Sequence, residues 1–194
     1  MSSFSSLLVR LRLGLFAATG TVVCYLLVCM MNCWLFGHWD VAQGLQGIAW
    51  VYLPAGVRLI CTLLFAEAGA VGLLIGSMIA ANIYAFFPGD PITTFGYGVI
   101  SALSPYLAYK FTLREMALQR SLSNLTSTRF MACILLYGLT NPLLQLMWFS
   151  FRGISYQFWY GLMVMSIGDL TGSLIVVYAI KILLSFIPLP PARR

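Results

Sequence analysis

W-V-Y-L-P-A-G-V-R-L-I-C-T-L-L-F, residues 50–65, is apolar almost throughout and carries one arginine, Arg58, near its middle. At the centre of a membrane span an arginine costs roughly 2.5–3.5 kcal/mol on insertion scales. Something in the rest of the chain must compensate for it or use it. The stretch therefore raises two questions together: what medium the chain lives in, and what Arg58 meets there.

Composition answers the first. Of 194 residues, 61% are hydrophobic and only 8% are charged. A soluble domain is about a quarter charged. So few charged side chains cannot solvate a globular surface, and the chain reads as an all-α, polytopic integral membrane protein. The net charge of +6 is scattered beside apolar runs. It reads as a topology signal, with the lipid bilayer as partner and nucleic acid excluded.

A helix needs about 20 apolar residues to cross a bilayer. Runs of that kind predict six spans in a single domain covering 1–194, at about 14–36, 47–66, 68–87, 94–111, 130–150 and 158–187. Arg10 and Arg12 before the first run resemble the start of a signal peptide. The run is too long for one and lacks a small-residue cleavage site, so it reads as an uncleaved first helix. F-F-P-G-D-P closes the third span with a turn signal. Residues 112–129 form a polar, basic loop. Its Leu113, Met116, Ala117 and Arg120 have the spacing of a short amphipathic helix on the membrane surface.

With six spans, nine of the eleven Lys and Arg residues share one side. These are Arg10, Arg12, Lys110, Arg114, Arg120, Arg129, Lys181, Arg193 and Arg194. Arg152 falls opposite, and Arg58 lies within the membrane. The bias makes the first side cytoplasmic and places both termini there, as in a bacterial inner-membrane protein. Trp34, Trp39, Trp50, Trp148 and Trp159 gather near the other face, joined by Tyr52, Phe86, Phe87, Phe95, Tyr97, Tyr156 and Tyr160. They form either an interfacial girdle or an aromatic-lined pocket opening outward.

Depth along the spans answers the second question in outline. Arg58 and Asp169 each lie about eleven residues from the outer edge, roughly 16 Å deep at 1.5 Å per residue. Asp169 is the one acidic residue inside an apolar span, and intramembrane charges pair. The two are expected to form a bidentate ion pair. Asn141, Gln145 and Asn82 arrive near the same depth and complete a candidate ligand-binding polar core. Pro54, Pro105 and Pro142 would interrupt their helices there, each freeing a carbonyl one turn back. The pair has two possible roles: locking the bundle in register, or binding or sensing a ligand.

Small residues follow a helical spacing. Gly72 and Gly76 lie between Ala68 and Ala80, and Gly168 and Gly172 flank Asp169. They predict close helix packing or a docking face for a partner membrane protein. Cys24, Cys29, Cys33, Cys61 and Cys133 sit in apolar runs and read as packing residues. No nucleophile–base pair is recognisable, because His38 is the sole histidine and stands at an outer edge. Neither a metal site nor a phosphate-binding loop is present in the sequence. The chain reads as no enzyme, with no catalytic residues and no cofactor.

W-V-Y-L-P-A-G-V-R resembles a motif of the first class of bacterial membrane-associated sensor domains (the MASE family). The likeness extends to G-A-V-G-L-L-I-G-S-M-I-A-A-N and to G-D-L-T-G-S-L-I-V-V, covering roughly residues 47 to 185. By position it implies roles for Trp50, Pro54, Gly56, Asn82, Gly168, Asp169 and Gly172. It implies a membrane sensor joined to cytoplasmic signalling modules. Since no output module follows before Arg194, the expectation is a standalone domain that signals through a separate membrane or cytoplasmic protein. Two other classes fit the size. One is the substrate-binding membrane subunit of a vitamin-type transporter, with a small-molecule ligand. The other is a structural scaffold of cell-envelope assembly.

Overall fold

The computed structural model describes residues 2–36, 49–84, 86–115, 119, 122, 124–154 and 157–186. They form five α-helices: α1 (Ser2–Phe36), α2 (Leu53–Ile83), α3 (Pro91–Glu115), α4 (Ser127–Phe151) and α5 (Phe158–Ser185). There is no strand among the described residues. α1, α2, α4 and α5 are long and apolar enough to cross a membrane. α3 falls short, because threonines, serines and glycines dilute its apolar residues and Lys110, Arg114 and Glu115 close it. The expectation of six spans thus becomes five helices, four of them of membrane-crossing character. His38, Trp39 and Tyr156, and the spacing that includes Met116, Ala117 and Arg120, lie outside the described residues.

Burial inverts the pattern of a soluble domain. Phe16, Phe151, Trp159 and Leu15 stand exposed, while Thr21, Asn32, Arg58, Ser104, Asn141, Gln145 and Asp169 are buried. An apolar exterior around a polar interior suits a lipid surround. α2 is the central element, lying against α1, α3 and α5, while α3 packs on α4 and α4 on α5.

The two runs read as spans 47–66 and 68–87 belong to one element with a break inside it. Ala66 has φ 47° and ψ −117°, outside helical values. A side chain at Gly69 would run into the Cys61 carbonyl. In a straight helix those residues stand about 12 Å apart. The chain therefore doubles back at Ala66. Glu67, next in sequence, accepts a hydrogen bond from the Tyr106 hydroxyl (3.1 Å) and lies 3.5 Å from Lys110 Nζ. This ties the bend to α3.

α2 also begins later than the apolar run. Residues 49–52 are non-helical, and the helix starts at Leu53 with Pro54 in its first turn. Pro54 is thus an initiating proline and does not interrupt a helix as expected. A helix start inside a bundle leaves N–H groups in need of acceptors, and here each one is accounted for. Tyr52 N–H donates to the Gly168 carbonyl (3.1 Å) and Leu53 N–H to Asn32 Oδ1 (2.9 Å). Pro54 has no N–H to satisfy. Ala55 N–H returns to the Tyr52 carbonyl (3.0 Å).

α4 ends in a Schellman motif. Gly153 adopts φ 72°. Ile154 N–H reaches the Phe149 carbonyl (3.0 Å), and Gly153 N–H reaches that of Ser150 (3.1 Å). A glycine there avoids the steric penalty of the left-handed conformation. At the same end, Arg152 bonds both Asp90 carboxylate oxygens (3.2 Å each) and Thr93 Oγ1 (3.1 Å). Asp90 itself caps α3 by accepting from Thr93 N–H (3.0 Å).

Candidate functional site

Arg58 is 1% exposed and is the largest fully buried side chain among the described residues. Its Nη2 donates to three phenol oxygens: Tyr25 on α1 (2.6 Å), Tyr52 just before α2 (2.9 Å) and Tyr97 on α3 (3.0 Å). The guanidinium carbon lies 5.2, 5.1 and 5.8 Å from the three ring centroids. At such distances the ring faces also attract a cation. The phenols touch one another, Tyr25 to Tyr52 at 3.2 Å and Tyr52 to Tyr97 at 3.4 Å. Arg58 is therefore solvated by a cage of neutral acceptors.

Asp169 is 3% exposed and accepts a hydrogen bond from Asn141 Nδ2 (2.6 Å). Gln145, one turn further along α4, donates to Ser101 Oγ (3.1 Å) and more weakly to the Tyr97 carbonyl (3.4 Å). No direct ion pair joins Arg58 and Asp169, so the expected bidentate pair is corrected. Each charge has other partners: Arg58 Nη2 donates to the tyrosines, and Asp169 Oδ2 accepts from Asn141 Nδ2. The two charges line a shared cavity of about 20 Å³, together with Tyr52, Tyr97, Asn141 and Gln145. All five helices supply a side chain to this network.

Asn82 does not belong to it. It is exposed and bonds the Met78 carbonyl of its own helix (2.8 Å). An exposed asparagine on a helix satisfies itself most simply on the backbone one turn back.

Local packing explains how the charges meet. Gly168 lies against the Ala49 carbonyl and Gly172 against that of Tyr52, so a side chain at either would clash with backbone. The Thr171 hydroxyl, which bonds the Ile167 carbonyl of its own helix (2.7 Å), also lies 3.1 Å from the Trp50 carbonyl. Gly56 packs on Val176 and the Gly172 carbonyl. W-V-Y-L-P-A-G and G-D-L-T-G, far apart in sequence, are thus pressed together, which sets Asp169 beside the start of α2. Arg58 and Asp169 meet at one cavity even though α2 starts only at Leu53, because residues 49–52 are non-helical. Gly72 lies against Ala18 and Thr21 of α1, and Gly76 against Val22 and Tyr25.

Tyr25 and Asn32 were not singled out from the sequence, and Tyr52 and Tyr97 were read as part of an interfacial girdle or an outward-opening aromatic pocket, not as partners of Arg58. A signal for the first two exists. Thr21, Tyr25, Cys29 and Asn32 recur at helical spacing, and all are buried. Among the described residues no group of three or more His, Cys, Asp or Glu side chains could hold a metal ion.

Comparison with protein-family models, with curated proteins and with solved structures finds no match.

Proposed function

We propose that the chain is a non-enzymatic membrane sensor or ligand-binding domain of a bacterial inner membrane, acting through a separate protein partner. The observation that carries this reading is the gap between Arg58 and Asp169. A pair that only locked helices in register would gain most from direct contact, because burying two charges is repaid chiefly by close attraction and full hydrogen bonding. Here the charges face a small polar cavity, at the point where α2 begins. Helices that start partway through a bundle are a recurrent way of building ligand sites in membrane proteins. The resemblance to membrane-associated sensor domains supports the same reading. The stretches that carry it are the two pressed together at this site.

The reading includes six crossings, with both termini cytoplasmic, and counts α3 among them by its 25-residue length although it is less apolar than the other four helices. Its support is the fold-back at Ala66, which gives α2 two arms, and the position of Glu67 beside Lys110. That puts the bend among the basic residues of the proposed cytoplasmic side.

The test is purification of the tagged chain from mild detergent, alongside Asp169→Asn, with identification of what accompanies each. A signalling enzyme that co-purifies, and whose output changes in Asp169→Asn, is the expected result. An ATP-hydrolysing transport module would replace this reading with that of a transporter's substrate-binding subunit. An envelope-assembly complex indifferent to Asp169→Asn would replace it with a scaffold.

A further inference from the structure

We infer that the cavity between Arg58 and Asp169 is a binding site for one water molecule, which converts the two charges into a water-bridged pair. The cavity measures about 20 Å³. A single water needs at least roughly 10–15 Å³ and two to four polar partners. Partners are at hand. Among the described residues, Arg58 Nε, Asn141 Oδ1 and Gln145 Oε1 are buried polar atoms without a hydrogen-bond partner, and all three residues line the cavity. Arg58 Nε–H is a donor, the two amide oxygens are acceptors, and the Asp169 carboxylate is a further acceptor. Water both donates and accepts, so one molecule can serve the Arg58 donor and the amide and carboxylate acceptors together.

The size also excludes alternatives. Polyatomic anions and organic solutes exceed the space, and a small anion would face Asp169 as well as Arg58. A buried polar atom left unpaired costs on the order of 1–3 kcal/mol. Three such atoms around one cavity of this volume are better explained by an occupant than by tolerated loss. The inference deepens the proposed reading and rests on it in one respect: if the site takes a solute, the solute must expel this water and part α2 from α5.

The experiment uses the full chain in lipid nanodiscs, at a resolution that shows ordered solvent. The expected result is one solvent peak within hydrogen-bond distance of Arg58 and of at least two of Asp169, Asn141 and Gln145. A direct Arg58–Asp169 contact, an empty gap or density for a larger molecule would each overturn it. The last would still favour a ligand-binding domain, while the partner measurement bears on that function independently. Infrared spectra provide a second readout. An internal-water O–H band should shift in heavy-oxygen water and disappear in Gln145→Met, with helix content retained. A band unchanged in that variant would count against the site.

Discussion

Arg58 shows how a charge is kept inside a bundle without a counter-charge in contact. Burial strips its water, and the replacement is three phenol oxygens and three ring faces drawn from separate parts of the chain. Hydrogen bonds to charged groups contribute about 1.5–3 kcal/mol each. Tyr25→Phe removes the shortest of the three while leaving the ring and two other acceptors. It is expected to cost about 1.5 kcal/mol, the low end of that range, measured by reversible unfolding in detergent. An unchanged midpoint would mean that the Tyr25 hydroxyl is no part of the cage. Arg58, Asp169, Asn141 and Gln145 were legible because strong polar groups stand out in apolar runs. The cage was not legible, because a tyrosine in a membrane helix has the same sequence appearance at an interface as at a buried cation. Asn82 was misread for a related reason: depth along a helix says nothing about which face a residue occupies.

The elements are shaped by two local features that bear on the site. Ala66 holds φ 47° and ψ −117°, a combination suited to glycine in a tight turn. Non-glycine residues in such regions cost on the order of 1–3 kcal/mol. Ala66→Gly should therefore stabilise the protein by about 1 kcal/mol, after the roughly 0.5–1 kcal/mol entropic cost of glycine. Ala66→Val should destabilise it, since a β-branched side chain fits positive φ worst. The order of the three melting temperatures checks this, and a melting temperature for glycine below alanine would contradict it. The sequence located the break between apolar runs but gave no glycine or proline to mark it, so its sharpness was hidden. Pro54 was visible but misassigned, because a proline inside a long apolar run reads equally as a kink or as a first turn.

At the other end, hydrogen bonds from Thr93 and the neighbouring Arg152 hold the Asp90 carboxyl down at about 2, below its ordinary 3.8. A carboxyl depressed on folding stabilises the protein above the unfolded value and loses that contribution as pH falls through the folded one. Asp90→Asn is thus expected to melt below the parent at neutral pH. The gap should close between about pH 4 and pH 2. A gap independent of pH would show that Asp90 acts only as an uncharged cap.

On the scale of the whole molecule, the arrangement of the helices depends on whether the two arms of α2 both cross the membrane or turn back inside it. A re-entrant hairpin would leave Glu67, at the bend, within the bilayer. Yet Glu67 is largely exposed and beside Lys110, where an exposed ion pair would have to sit in hydrocarbon. Two crossings place it at an interface, where both side chains meet water and the pair costs little. The arms then have the lengths such a path needs. Residues 67–83 form a helix of about 25 Å at 1.5 Å per residue. The shorter arm from Leu53 is extended by residues 49–52 pressed against α5. The position of the site follows from the start of α2: a segment that is non-helical over 49–52 and helical from Leu53 must satisfy its N–H groups inside the bundle. Asn32, Gly168 and the proline are there to do so. Single-cysteine labelling decides between the paths, in a background where Cys24, Cys29, Cys33, Cys61 and Cys133 are replaced by alanine or serine. Glu67→Cys and Arg114→Cys should both resist an impermeant thiol reagent in intact cells and react once the membrane is opened. Arg152→Cys should react in intact cells. A Glu67→Cys chain that stays unlabelled after permeabilisation, while Arg114→Cys reacts, would place the bend inside the bilayer, as a re-entrant hairpin, and remove both α2 crossings from the bundle.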